Sequence, residues 1–138
     1  MNTLEINDLL LPILGPDVFK GVHSASQLPI VDEVIDYPFG FISNTDDGQK
    51  SGTHWISMYF DNKGSGHYFD SFGSYPFHQD WVHYLSAMSF LGDWDYSKAC
   101  IQPNDSDACG HYCIYYLINR HHTPLRVNDY NLMSRVTP

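Results

Sequence analysis

Two aromatic segments joined by a polar, glycine-containing connector constrain the fold of this chain more than any other feature. The segments cover residues 54–60 and 67–70, and the connector covers residues 61–66. Aromatic and β-branched residues favour strands, and short connectors containing glycine favour a tight reversal between them. The pattern therefore predicts a β-hairpin.

The register of this hairpin brings two polar side chains together. A turn centred near Asn62 places His54 opposite Asp70. Because both residue numbers are even, the two side chains lie on the same face in every register whose paired residue numbers add up to an even number. They are then directly opposed or diagonal to one another. Two interpretations follow. The pair is either a surface contact or the base and orienting acid of a nucleophilic site.

A candidate nucleophile lies farther along the chain. The polar, turn-forming residues 102–108 lead to Cys109, which precedes an apolar segment that ends near Arg120. A thiol at the first turn of a helix lies where backbone N–H groups and the positive end of the dipole favour the thiolate. This position suits a cysteine that attacks a carbonyl group.

Apolar periodicity, caps and breakers predict further elements along the chain. Asn2 and Glu5 have the spacing of a capping box, and residues 30–35 fit either a strand or a helical turn. The other predicted elements are a helix over 3–11 ended by Pro12, a loop over 17–29, a strand over 40–44, a helix over 74–91 with Pro76 in its first turn, a strand over 96–101 and a short helix over 127–136.

Composition limits the class of protein. The 138 residues suffice for one domain with a sizeable core, so we expect a single domain over 1–138. A net charge of −9 with seven Lys and Arg makes a nucleic-acid partner unexpected. No apolar run approaches the roughly 20 residues of a membrane-spanning helix, and the N-terminus lacks a basic leader region. The three cysteines lack a framework spacing, which favours free thiols in a reducing, intracellular compartment.

Three short motifs occur in a specific order. They are Gly52-Thr53-His54-Trp55, then Tyr68-Phe69-Asp70-Ser71-Phe72-Gly73, then Gln102 with Cys109-Gly110 after six intervening residues. Together they resemble the adenovirus-type cysteine proteases, the adenain family, which share a superfamily with the SUMO-deconjugating ubiquitin-like proteases. The run Ile42-Ser43-Asn44-Thr45 is similar to the adenain strand before its histidine loop. The resemblance covers about residues 40–118.

The resemblance implies a catalytic role for each matched position. His54 is the general base, Asp70 is the orienting acid and Cys109 is the nucleophile. Gln102 supplies an oxyanion-hole donor from its side chain, together with the backbone N–H of Cys109. Such preorganised donors stabilise the charge that develops on the carbonyl oxygen during attack.

The resemblance also implies a fold and an activity. The expected fold is an α+β domain of the papain-like superfamily, in which a small mixed sheet is packed by helices that include the nucleophile helix. The expected activity is endopeptidase cleavage of viral precursor proteins after small residues, in Gly-Gly or Gly-x-Gly patterns, through an acyl-enzyme. Trp55 and Asn44 are the expected substrate-binding residues. The implied setting is the virion and the nucleus or cytoplasm of the host cell.

Departures from adenain bear on cofactors. The chain is shorter than adenain and is expected to lack its C-terminal extension, and Cys100 does not match the cysteine that links adenain to its activating peptide. The acidic charge also gives DNA little to bind. We therefore expect no cofactor, a protein or peptide substrate, and a monomer. Two alternatives remain: a deconjugase of ubiquitin-like modifiers, and a catalytically silent binding module with a protease fold.

The remaining cysteines and histidines have simpler interpretations. Cys113, one turn after Cys109, and Cys100 are expected to be core residues. A zinc site is not expected, because the spacing lacks two ligand pairs and one helix does not enclose a tetrahedral ion. The histidines expected at the surface are His67, His78 and His83.

Overall fold

A mixed sheet forms the centre of the computed structural model, which describes residues 2–30, 36–44, 54–90, 93–100 and 109–122. Its strands follow one another in space in chain order, from β1 to β5. The elements within the described ranges are α1 (Thr3–Leu14), β1 (Phe19–Ser24), β2 (Phe39–Asn44), β3 (Trp55–Phe60), β4 (Gly66–Phe69), α2 (Gln79–Met88), β5 (Trp94–Tyr96) and α3 (Cys109–His122). The α+β prediction agrees with this architecture at a coarse level.

The central strands are antiparallel and the edge strands are parallel to their neighbours. β3 pairs antiparallel with both β2 and β4, whereas β1 is parallel to β2 and β5 is parallel to β4. A parallel neighbour needs a crossover connection, and α2 provides it between β4 and β5. Consequently the C-terminal ends of β4 and β5 lie at the same end of the sheet.

Helices cover both faces of the sheet. Trp55 and Tyr59 of β3 pack in one core cluster with α1 and α3, and the alternating residues Ile56 and Met58 pack in a second cluster with α2. Because both faces are covered, β2, β3 and β4 are buried along their whole length. The buried residues of α3 include Cys109, Tyr112, Cys113, Tyr116 and Leu117, which recur at helical spacing.

Three local predictions are confirmed. The hairpin forms from β3 and β4, and the predicted strand over 40–44 is β2. The capping box at the start of α1 is present: the Glu5 N–H donates to the Asn2 side chain at 2.9 Å, and the Asn2 N–H donates to the Glu5 carboxylate at 3.1 Å. These features depend on neighbours in the chain, which explains why sequence patterns predict them.

Two helices were predicted with wrong bounds. α1 does not end at Pro12 but continues to Leu14, since burial of Ile6, Leu10 and Leu14 outweighs the missing N–H of the proline. α2 covers Gln79–Met88 and not residues 74–91, so Pro76 lies before the helix and Ser89 caps its end. The His78 Nδ1 accepts the Asp80 N–H at 3.2 Å and caps the start of α2.

Two strand predictions were also wrong. The predicted loop over 17–29 contains β1, whose ladder with β2 is irregular near Gly21, a residue with a φ of +98°. The last strand is Trp94–Tyr96 and so begins earlier than predicted. Both strands pair with partners distant in sequence, so neither has a strong local signal.

Some predictions lie outside the described residues. They are most of the ambiguous segment 30–35, residue 101, the loop 102–108 and the helix predicted over 127–136. Among the helices that the structure describes, none combines the length and hydrophobicity needed to cross a membrane.

Candidate active site

His54 and Asp70 meet at one end of the hairpin. His54 directly precedes β3 and Asp70 directly follows β4, and the His54 Nε2 lies 3.0 Å from the Asp70 Oδ2. The side chain of Asp70 is 1% exposed and that of His54 is 16% exposed. This contact is therefore a largely buried pair, unlike a solvated surface contact.

The hairpin register differs from the predicted one by two residues. Ser57 pairs with Phe69 and Phe60 pairs with Gly66, so the same register continued past the strands sets His54 opposite Phe72. His54 indeed stacks on Phe72, with ring centroids 5.3 Å apart and planes inclined by 26°. The prediction that paired residue numbers add up to an even number was correct. Asp70 therefore lies on the same face as His54, diagonally opposite it.

The turn after β4 fixes the Asp70 carboxylate. Its Oδ1 accepts the Phe72 N–H at 2.9 Å, and its backbone carbonyl accepts the Gly73 N–H at 2.8 Å. Gly73 has a φ of +76°, and a Cβ at this position would lie 2.7 Å from the Lys98 carbonyl oxygen. A glycine is therefore required both by the conformation and by the close approach of the chain after β5.

Cys109 reaches the same end of the sheet because α3 begins there. It is the first residue of α3, is 5% exposed and hydrogen-bonds to His54. Because the Nε2 of His54 contacts Asp70, its Nδ1 is the nitrogen available to the thiol. The dipole of α3 adds partial positive charge at this terminus, which favours a thiolate.

The electrostatics of His54 favour the imidazolium. Burial lowers the pKa of His54, but hydrogen bonds to Asp70 and Cys109 and the negative charges of these two partners raise it more, to about 9. An imidazolium between a carboxylate and a thiol can hold that thiol as a thiolate. It can also donate a proton to a departing amine.

The other predicted site residues have different positions. Asn44 and Trp55 are paired across β2 and β3, and both are buried. Trp55 packs in the core cluster that contains Cys109, and the Asn44 Oδ1 has no hydrogen-bond partner among the described residues. Gln102 lies outside the described residues.

The three cysteines differ in how deeply they are buried. Cys113 is fully buried, as expected of a core residue, and burial followed by the charges of Cys109 and Asp70 raises its thiol pKa. Cys100 is exposed, so its predicted core position was wrong. Across the described ranges, no group of three or more His, Cys, Asp and Glu residues is arranged to hold a metal ion.

Phe72 is the site residue that sequence reasoning missed. Its ring covers His54 and its N–H holds Asp70, although no role was assigned to it within the motif at residues 68–73. An aromatic residue two positions after a candidate catalytic carboxylate, in a turn, is the signal that would have indicated it. Stacking of this kind restricts the imidazole ring to one orientation.

Comparisons with known proteins give a fold. No protein-family model and no curated protein matches the chain. The crystal structure of the selenomethionine form of ASFV pS273R protease aligns over 67% of this chain and 37% of that chain, with a TM-score of 0.54 and 22% sequence identity. The two chains share a fold. At this level of identity the likeness shows the fold alone, and it does not favour adenain over other families with this fold.

Proposed function

We propose that this chain is a cysteine peptidase in which Cys109 is the nucleophile, His54 the acid–base and Asp70 the orienting acid. The observation that carries the proposal is the position of His54, which contacts both Asp70 and Cys109. A nucleophile, a base and an orienting group in one chain of contacts form the general signature of nucleophilic catalysis. The fold shared with a protease supports the same conclusion.

The reaction would proceed in two halves. The Cys109 thiolate attacks the scissile carbonyl carbon, and the C–N bond breaks as the imidazolium of His54 donates its Nδ1 proton to the amine. A water molecule then attacks the thioester carbon while His54 takes a proton from this water. The C–S bond breaks, which releases the acid product and restores the pair of thiolate and imidazolium. The oxyanion would be stabilised by the backbone N–H of Cys109 and, by resemblance, by the side chain of Gln102.

The preferred substrates follow from the resemblance to adenain. We expect protein or peptide substrates with small residues, in Gly-Gly or Gly-x-Gly patterns, before the cleaved bond. Viral precursor proteins in the virion or the infected cell are the corresponding setting. Neither an activating peptide nor DNA is part of the proposal, and the chain is expected to act as a monomer. The chain spans little more than a third of the length of the ASFV pS273R protease.

The proposal is tested by a matched pair of cysteine variants. Cys109→Ala should abolish cleavage of Gly-Gly and Gly-x-Gly peptides and keep the circular dichroism spectrum, because knocking out a nucleophile removes orders of magnitude in rate. Cys113→Ala, one turn away and fully buried, should retain cleavage despite some loss of stability. Turnover by Cys109→Ala equal to that of the parent chain would refute the assignment.

Two further readouts separate the alternatives. Labelling by ubiquitin- or SUMO-based electrophiles without peptide cleavage would identify a deconjugase. Iodoacetamide alkylation followed by mass spectrometry tests for a silent module, with the exposed Cys100 as the internal reference. Replacement of His54 by Ala should slow alkylation of Cys109 near neutral pH and leave Cys100 unchanged. Equal rates for Cys109 in both proteins would show that its thiol is not activated.

A further inference from the structure

A second polar site lies at the opposite end of the two elements that build the candidate active site. A cavity of about 490 Å³ opens beside the C-terminal ends of β3 and α3. At 1.5 Å per residue, Arg120 lies roughly 16 Å along α3 from Cys109. The residues that line the cavity are Pro38, Tyr59, Asp61, Asn62, Lys63, Arg120 and His121.

Arg120 is the central residue of this cavity. Its Nη2 lies 2.8 Å from the His67 Nε2, and its guanidinium carbon lies 5.9 Å from the centre of the Tyr59 ring. Its Nε is buried and has no hydrogen-bond partner within the described part of the chain. A buried donor without an acceptor is unfavourable. Arg120 also lines the cavity, so it brings a permanent positive charge to the wall.

His67 holds Arg120 in place. The Nδ1 of His67 lies 2.8 Å from the Asp95 Oδ1, and its Nε2 lies 3.0 Å from the Asp61 Oδ2 as well as near Arg120. The Nε2 of His67 either accepts from Arg120 or donates to Asp61. Both arrangements keep the imidazole between the side chains of Arg120 and Asp61. The prediction that His67 lies at the surface was wrong, since it is only 8% exposed.

The negative charge of Asp61 is engaged inside the hairpin turn. Its Oδ1 accepts the backbone N–H groups of Lys63 at 2.9 Å and Ser65 at 3.1 Å, and its Oδ2 contacts His67. Asp61 therefore does not form an ion pair with the cations of the cavity. The ammonium group of Lys63 has no ion-pair partner among the described residues.

Further donors complete the lining. The hydroxyl of Tyr59 contacts the His121 Nδ1 at 3.2 Å, and the side-chain amide of Asn62 adds N–H donors. The ring of Tyr59 and Pro38 supply apolar surface beside these donors. The cavity thus combines two permanent cations, several neutral donors and an apolar wall.

We propose that this cavity binds the phosphate group of a small organic molecule. A phosphate presents more oxygens than a carboxylate does, which matches donors on several side chains, and arginine recognises it through parallel N–H groups. The cavity volume falls in the range of small-molecule sites. The overall charge of −9 disfavours a long polyanion as the ligand.

Two effects oppose the binding of an anion. The carboxylate of Asp61 is part of the lining, although the N–H groups of Lys63 and Ser65 and the ring of His67 hold it in the turn. The C-terminal end of α3 carries a partial negative charge equivalent to roughly half an elementary charge. Arg120 and Lys63 each carry a full positive charge, and together they exceed the single negative charge of Asp61 and the partial charge of the helix end. The proposal does not rest on the proposed peptidase activity, and its test measures binding alone.

The test is a calorimetric titration of the full chain with inorganic phosphate and with phenyl phosphate. We expect saturable binding of both, with phenyl phosphate tighter because its ring contacts the apolar wall. Lys63→Ala should weaken binding roughly tenfold, the value of one charge-assisted hydrogen bond. The matched control is Lys98→Ala, which removes an exposed lysine near Tyr96, outside the cavity, and should leave the affinity unchanged.

A second variant guards against changes in folding. Tyr59→Phe removes only the hydroxyl and should weaken phosphate binding by less than Lys63→Ala. Absence of saturable binding by the parent chain would overturn the proposal. Equal affinities of the parent and Lys63→Ala would also overturn it, because the phosphate would then bind elsewhere. Binding of benzoate as tight as that of phenyl phosphate would do the same, because the site would then have no preference for phosphate.

Discussion

The same hairpin carries a histidine–carboxylate contact at each end, and the two contacts differ in their third partner. His54 lies 3.0 Å from Asp70 and hydrogen-bonds to a thiol, whereas His67 lies 2.8 Å from Asp95 and contacts Arg120. Both imidazoles are largely buried. A histidine–carboxylate contact is therefore insufficient to indicate catalysis, and the third group determines whether the histidine serves a nucleophile or positions a cation.

The largest difference should appear when the carboxylate at the thiol end is removed. Asp70→Ala deletes the partner of His54 and the acceptor of the Phe72 N–H, so we expect kcat/KM to fall by roughly 10²–10⁴. It should also lower the pKa of His54, measured by NMR titration. Asp70→Asn should not restore the activity, because the amide has one oxygen and cannot accept from both the Phe72 N–H and the imidazole. Activity unchanged in Asp70→Ala would remove the contrast between the two ends.

The corresponding change at the arginine end should affect stability and leave the thiol unchanged. His67→Ala removes the partner shared by Asp61, Asp95 and Arg120, and we expect the free energy of unfolding in urea to fall by about 1–3 kcal/mol. The control is His83→Ala on the exposed face of α2, which should stay within about 0.5 kcal/mol of the parent. Slower alkylation of Cys109 in His67→Ala would show that the two ends are coupled.

The smallest expected effect is a pH dependence confined to the thiol end. The pKa of His54 rises from 6.5 to about 9 in the folded chain, so the folded state binds this proton more tightly than the unfolded state does. Its contribution to stability is complete below pH 6.5 and is lost as the pH rises through about 9. Urea unfolding of the parent and of a His54→Gln variant at several pH values measures this difference.

Activity should follow the same group. In the proposed mechanism His54 donates a proton to the leaving amine, so kcat/KM should decline roughly tenfold per pH unit above its pKa of about 9. A profile that stays flat well above this pH would contradict the assignment of His54 as the acid.

Much of the candidate site could be predicted because its signals are local. The aromatic segments and the polar connector predicted the hairpin, and the even numbering of His54 and Asp70 was enough to bring them into reach. The polar turn before an apolar segment correctly placed Cys109 at the start of a helix. The α+β fold expected from the resemblance agrees with the observed architecture at a coarse level, while the catalytic roles, including that of Gln102, stay predictions.

The sequence alone determined elements whose hydrogen bonds and periodicity depend on neighbouring residues. Only the tertiary structure decided what depends on segments distant in the chain. Parallel pairing created β1 and β5, contacts with Asp95 and Arg120 buried His67, and the common edge of β3, β4 and α3 brought Cys109 to His54. Local pattern carries no information about such contacts, because their free energy comes from packing and charge between elements that the sequence keeps apart.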